Sequence, residues 1–208
     1  MDNKLTLINK NNYKKAKDQY NKVILNLDLY AHDFKTIMFT SSLNRENRTY
    51  TLINLVISMS KLNKKILIID ADMYKSKLSN SFSGEVKNNL NDYLLDKCTA
   101  KDIIYNTDLN GVKLLPSKPD AEGLSLLVNE RFEALIADQK ANYDYILINT
   151  APMSLYGDVN VVAKCCEGSI LVVRERRVKR QQYEDNVKRL NDLISVGNHF
   201  IGLIFCKF

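Results

Sequence analysis

The chain has 208 residues, of which 45% are hydrophobic, and its 30 Lys and Arg against 24 Asp and Glu give a formal net charge of +6. That balance excludes a wholly disordered or collagen-like polymer, and the length suits one larger domain, able to bury about 70% of the surface of its unfolded chain. All seven glycines lie at or after Gly84, so a glycine-rich phosphate loop near the N-terminus is disfavoured from the outset.

The N-terminal stretch MDNKLTLINKNNYKKAK has no signal-peptide core, and no run approaches the ~18 apolar residues of a membrane span. A cytoplasmic location, at most peripheral to a membrane, is expected. Residues 1–12 are expected to be flexible, within a single domain over 1–208. Helical spacing follows over Tyr13–Asp28, then a strand at Thr36–Thr40, a helix at Thr49–Leu62 and a strand at Lys65–Asp70. The alternation continues with a helix at Leu90–Leu95, a strand at Val112–Leu115, a helix at Leu124–Lys140 and a strand at Tyr145–Asn149. It ends with a helix at Asp158–Cys165, a strand at Ser169–Val173, a helix at Lys179–Ile194 and a strand at Phe200–Phe205. Strands apolar on both faces and alternating with helices predict an α/β fold: a doubly wound, mostly parallel sheet flanked by helices. In such a sheet ligands bind beyond the carboxyl ends of the strands.

Two dense basic runs, Lys14–Lys17 and Arg174–Arg180, accompany no nucleic-acid reader motif, so nucleic acid is not expected as a partner. The run at 174–180 reads as the solvated start of a helix. Cys98, Cys165, Cys166 and Cys206 form no C-x-x-C pair, which points to reduced, buried thiols and away from zinc.

Three strand ends carry the chemistry. After the first predicted strand comes Thr40-Ser41-Ser42-Leu43-Asn44-Arg45-Glu46-Asn47-Arg48-Thr49-Tyr50, leading straight into a helix. Backbone N–H groups and the helix dipole favour a phosphate at such a place. The usual chemistry there wants Gly, a Lys for the phosphates and a hydroxyl for Mg²⁺. Here Arg48 stands at the Lys position, Thr49 supplies the hydroxyl, and the glycines are absent; Asn47 tolerates positive φ, whereas Arg45 does so only at a cost. After the second strand, Asp70 and Asp72 suit a Mg²⁺ ligand or general base, or equally a cap and a solvated turn acid. After Tyr145–Asn149, the neutral Asn149 offers a carbonyl oxygen where a magnesium-organising carboxylate would serve better.

Taken together, the stretches FTSSLNRENRTYTLINL, KKILIIDADMYKSKL, KLLPSKPDAEGLSLLVNERFEALI, NYDYILINTAPMSLYGDVNVVA and GSILVVRERRVKR resemble, in order and spacing, the bacterial tyrosine kinases (BY-kinases). These are cytoplasmic P-loop proteins of capsule and exopolysaccharide assembly, more loosely related to the Min/Par-type ATPases. The likeness runs from about Tyr13 to Phe208 and implies a P-loop NTPase type of fold. The family loop, S-x-x-P-G-E-G-K-S-T, places Arg48 on the phosphate-gripping Lys, Thr49 on the magnesium hydroxyl, and Arg45 and Asn47 on the two Gly. Glu46 is kept and Tyr50 replaces a small hydroxyl residue.

By this resemblance Glu46, Asn47, Arg48, Thr49 and Tyr50 are the nucleotide-binding candidates, and Asp70 and Asp72 the catalytic ones. Thr49, Asp70 and Asn149 are the candidate metal ligands, with Asn149 on the family's Walker B Asp. ATP and Mg²⁺ are expected to bind weakly or not at all. The resemblance implies as partners the cytoplasmic segment of a membrane polysaccharide chain-length regulator and an intact kinase paralogue. The family's ring-building E-x-x-R-x-x-R falls on Asp18, Asn21 and Ile24, so a ring by that route is not expected. Cys206 stands where the family's last strand carries an Asn near the base. A degenerate BY-kinase with weak or no kinase activity is the leading expectation. A working kinase with a rearranged loop and a Min/Par-like protein that binds DNA or membrane are the alternatives.

Overall fold

The computed structural model describes residues 4–8, 17–154 and 157–206. Its strands are β1 (Lys4–Leu7), β2 (Thr36–Ser41), β3 (Ile66–Asp70), β4 (Phe82–Ser83), β5 (Tyr105–Thr107), β6 (Val112–Leu115), β7 (Tyr145–Asn149), β8 (Gly168–Arg174) and β9 (His199–Cys206). They form one sheet in the order β4-β1-β5-β6-β3-β7-β2-β8-β9. From β6 through β9 every pairing is parallel, and two antiparallel pairs, β1 with β4 and β5 with β6, lie on the other side. The helices are α1 (Lys17–Tyr30), α2 (Arg48–Met59), α3 (Leu90–Leu94), α4 (Gly123–Leu127), α5 (Glu130–Gln139), α6 (Asp158–Ala163) and α7 (Arg180–Asp192).

Alternate residues of the central strands enter two cores. Ile37, Phe39, Ile66, Ile68, Leu147, Ile170 and Val172 point toward α1 and α2. Met38, Leu67, Ile69, Ile146, Ile148, Leu171 and Val173 point toward α3 to α7. This is why TIMFT, ILIID and YILIN are apolar on both faces: neither side of the sheet meets water. The helix α2 is buried on nearly every side, Tyr50 alone among its residues being exposed. Such all-round burial marks a helix enclosed by protein, and α1 contributes to it through Tyr20, whose hydroxyl accepts from the Asn54 side-chain amide at 3.4 Å.

All six predicted strands are present, and the structure adds three short ones. The expected flexibility of residues 1–12 fails at its described part: Lys4–Leu7 form β1, with Leu5 and Leu7 buried and Lys4 and Thr6 exposed. Such period-two alternation is a strand signal, and β1 is held between β5 and β4. A hairpin through Gly111, at φ 70, reverses the chain from β5 into β6. The helix predicted over Leu124–Lys140 is broken into α4 and α5 because Asn129 adopts an extended conformation and caps α5, its side chain accepting from the Arg131 amide at 2.9 Å. Of the helix predicted over Tyr13–Asp28, residues 13–16 lie outside the described residues. Among the described residues no helix is long and apolar enough to cross a membrane, and the four cysteines are free thiols.

Candidate active site

Parallel register brings the informative strand ends together. Asp70 pairs with Asn149 across β3 and β7, where both strands end, and Phe39 pairs with Asn149 across β7 and β2, with β2 running on to Ser41 beside them. Beside these ends lies a cleft of about 300 Å³. It is lined by the 43–50 loop and helix start, Ser41 and Asp72, together with Lys77, Asn80, Ser81 and Pro152.

The loop from β2 to α2 holds two residues other than glycine in the left-handed region. Arg45 sits at φ 66 and Asn47 at φ 59, both left-handed, at the two positions where glycine would be at ease. Glu46, between them, is 1% exposed. Its carboxylate turns inward and accepts from the Leu43 amide at 2.6 Å and from the Arg174 amide of β8 at 3.4 Å. Burial raises its pKa, and those backbone donors oppose the rise. Glu46 thus ties the loop to the sheet. Tyr50, on the outer face of α2, is 43% exposed at the rim of the cleft.

Arg48 also turns inward, and is 6% exposed. Its Nε donates to Asn149 Oδ1 at 2.9 Å, one Nη to Ser41 Oγ at 3.2 Å and the other Nη to Asp72 Oδ2 at 2.7 Å. Thr49 Oγ1 donates to the same Asn149 Oδ1 at 3.3 Å. The amide of Asn149 in turn donates through Nδ2 to Asp70 Oδ1 at 2.9 Å. The second oxygen of Asp70 accepts from the backbone and the hydroxyl of Ser79, each at 2.8 Å. Burial pushes the Asp70 carboxyl up to about 6, against the hydrogen bonds from Ser79 and Asn149. Burial likewise lowers the Arg48 pKa, opposed by the charges of Asp72 and Asp70.

Every predicted site residue except Tyr50, Glu46 and Asn47 therefore belongs to one hydrogen-bonded cluster, and Asn47 stands at the N-cap position of α2 without a side-chain cap hydrogen bond. Sequence reasoning missed Ser79, Tyr74 and Asp158. Ser79 lies in the polar stretch after the acidic pair. Asp158, at the start of α6, is fully buried, accepts from the Tyr74 hydroxyl at 3.3 Å, and leaves its other oxygen unpartnered. Burial pushes its carboxyl up to about 6, with Asp72 adding to the rise. No local pattern announces it.

A nucleotide-bound magnesium ion does not fit this cluster as it stands. Of the candidate ligands, Asn149 Oδ1 accepts from Arg48 and Thr49, and both Asp70 oxygens accept from Ser79 and Asn149; Asp72 Oδ1 is buried without a partner, but a divalent cation there would meet the like charge of the guanidinium on Asp72 Oδ2.

Residues 35–179 match the AAA domain family. The chain is 32% identical over 197 residues to the tyrosine-protein kinase CpsD of Streptococcus agalactiae, covering 93% of this chain and 83% of that protein. This chain belongs to the bacterial tyrosine-kinase family. The kinase domain of the Escherichia coli tyrosine kinase ETK superposes with a TM-score of 0.82 at 21% identity, over 91% of this chain and 74% of that one. The septum site-determining protein MinD of Pyrococcus horikoshii, complexed with Mg-ADP, superposes with a TM-score of 0.71 at 25% identity, over 82% and 69%. The BY-kinase likeness and the P-loop fold expected from the sequence both stand.

Proposed function

We propose that this BY-kinase family member is a regulatory or binding component of capsular or exopolysaccharide biosynthesis with weak or no phosphotransfer activity. In this reading it works at the inner face of the membrane through the cytoplasmic segment of a chain-length regulator, beside an intact kinase paralogue. One observation carries this reading: the Arg48 guanidinium lies 2.7 Å from Asp72 and 2.9 Å from Asn149, so that at the edge of the cleft its donors are already engaged by the cluster.

The planar fork of Arg differs from the compact ammonium of Lys at a phosphate site. With Asn149 in place of a carboxylate and Asp72 paired to Arg48, several kcal/mol of transition-state stabilisation are absent in this reading, each ~1.4 kcal/mol being tenfold in rate. The alternative, a working kinase with a rearranged loop, draws support from the left-handed backbone at Arg45 and Asn47, which keeps the loop's shape. Incubation with labelled Mg·ATP and a tyrosine-bearing partner separates the two. The proposal expects no phosphotyrosine above background, and label that disappears in Asp72→Asn would establish the working kinase in its place.

A further inference from the structure

Five oxygen-bearing side chains from four elements converge around Arg48. They are Ser41 at the end of β2, Thr49 in the first turn of α2, Asp70 and Asp72 at and after the end of β3, and Asn149 at the end of β7. Two carboxylates, two hydroxyls and an amide carbonyl make a donor set of the kind that hard divalent cations take. In this chain a guanidinium makes the contacts instead, to Asn149 Oδ1, Ser41 Oγ and Asp72 Oδ2, and its charge faces the Asp72 carboxylate whose other oxygen, Oδ1, has no hydrogen-bond partner. Asn149 is the complement that completes the arrangement: its carbonyl faces Arg48 while its amide faces Asp70 Oδ1 at 2.9 Å. An aspartate there would set carboxylate against carboxylate, and a lysine at 48 could not donate in three directions within one plane.

We propose that Arg48 is a built-in replacement for a divalent cation, so that the acidic cluster is compensated from within and needs no metal. This deepens the reading of weak or absent phosphotransfer and rests on it. Two consequences follow from the charge balance. The native chain has no use for a divalent ion at this place. Removing the guanidinium leaves an oxygen cage with at least one uncompensated carboxylate, which a divalent ion can then fill.

The test uses Mn²⁺ alone, without nucleotide, on the full chain, read by the electron paramagnetic resonance of free Mn²⁺ and by thermal unfolding. Native protein is expected to show neither a saturable Mn²⁺ site nor a shift in melting temperature. Arg48→Ala is expected to melt lower, to recover with millimolar Mn²⁺, and to bind the ion at least about tenfold tighter than native protein. Adding Asp72→Asn to Arg48→Ala should abolish both effects. If Arg48→Ala does not fold, Arg48→Gln, which preserves most of the length without the charge, takes its place, and the native titration needs no variant at all.

A saturable Mn²⁺ site in native protein that Asp72→Asn removes would overturn the proposal. So would a folded Arg48→Ala or Arg48→Gln binding Mn²⁺ no better than native protein. These outcomes are separable from the functional reading. Phosphotyrosine formed by native protein in excess chelator refutes weak activity and leaves the cation replacement intact, whereas the Mn²⁺ results above refute the replacement even where no phosphotyrosine forms.

Discussion

The loop that precedes α2 and the turn that follows β3 face each other across one cleft, yet they are held in different ways. The loop keeps its shape under strain. It places Arg45 and Asn47 in left-handed conformations and relies on Glu46, tied to Leu43 and Arg174, to hold it there. The turn after β3 is held by ordinary hydrogen bonds, with the Ser79 amide and hydroxyl on Asp70 and the Asn149 amide on its other oxygen. The loop thus holds left-handed backbone at residues other than glycine, while the turn carries two acids of which Asp72 is paired with Arg48.

The largest test breaks the link between the two. Arg48→Ala leaves Asp72 buried beside no counter-charge, and should cost about 3–5 kcal/mol in chemical denaturation without metal. A loss under about 1 kcal/mol would show that the pair contributes little. Next comes the loop alone: Glu46→Gln turns one carboxylate oxygen into an amide that must face a backbone N–H. It should cost about 1–3 kcal/mol, with faster amide exchange at Leu43 and Arg174 as the local signature.

The third test reads pH. Because the Asp158 carboxyl is raised to about 6 by burial, its folded form holds a proton that the unfolded chain, near pH 4, has already released. Its contribution is therefore most favourable below about pH 4, is lost as pH rises to about 6, and stays lost above. Asp158→Asn should stabilise by about 1–2 kcal/mol at pH 7.5 and by almost nothing at pH 4. Equal effects at both pH values would contradict the assignment. The smallest effect belongs to strain: Arg45→Gly should raise stability by about 0.5–1 kcal/mol as the left-handed cost is relieved. Asn47→Gly should be near neutral, since Asn accepts that conformation.

Much of this frame was legible beforehand. The strands β2, β3 and β7 announced themselves through apolar runs buried on both faces, and the rule that ligands sit past strand ends pointed to Arg48, Asp70, Asp72 and Asn149 together. The direction in which Arg48 points was not legible. Its partners lie 24 and 101 positions away, and only the register of Asp70 against Asn149 brings them within reach. Asp158 was invisible for the same reason, its surroundings being assembled from Tyr74 and Asp72. The β5–β6 hairpin escaped because a three-residue strand carries too little periodicity, and the break at Asn129 because helical spacing persists through it while the capping side chain overrides the pattern.

The two ends of the sheet differ in exposure. At one, β4 contributes only two residues; at the other, β9 runs for eight, with Phe205 63% exposed, and among the described residues it pairs with β8 alone. A long apolar rim of unpaired amides and carbonyls is a template for aggregation. The register shift opposite Ser169 and Ile170, with Gly202 at φ 152, interrupts that template where it is most apolar. No atom outside its chain neighbours crowds Gly202 within 4 Å, so the demand for glycine there is conformational. A bulge of this kind twists and bends an edge strand, which makes it a poorer template for pairing with another chain.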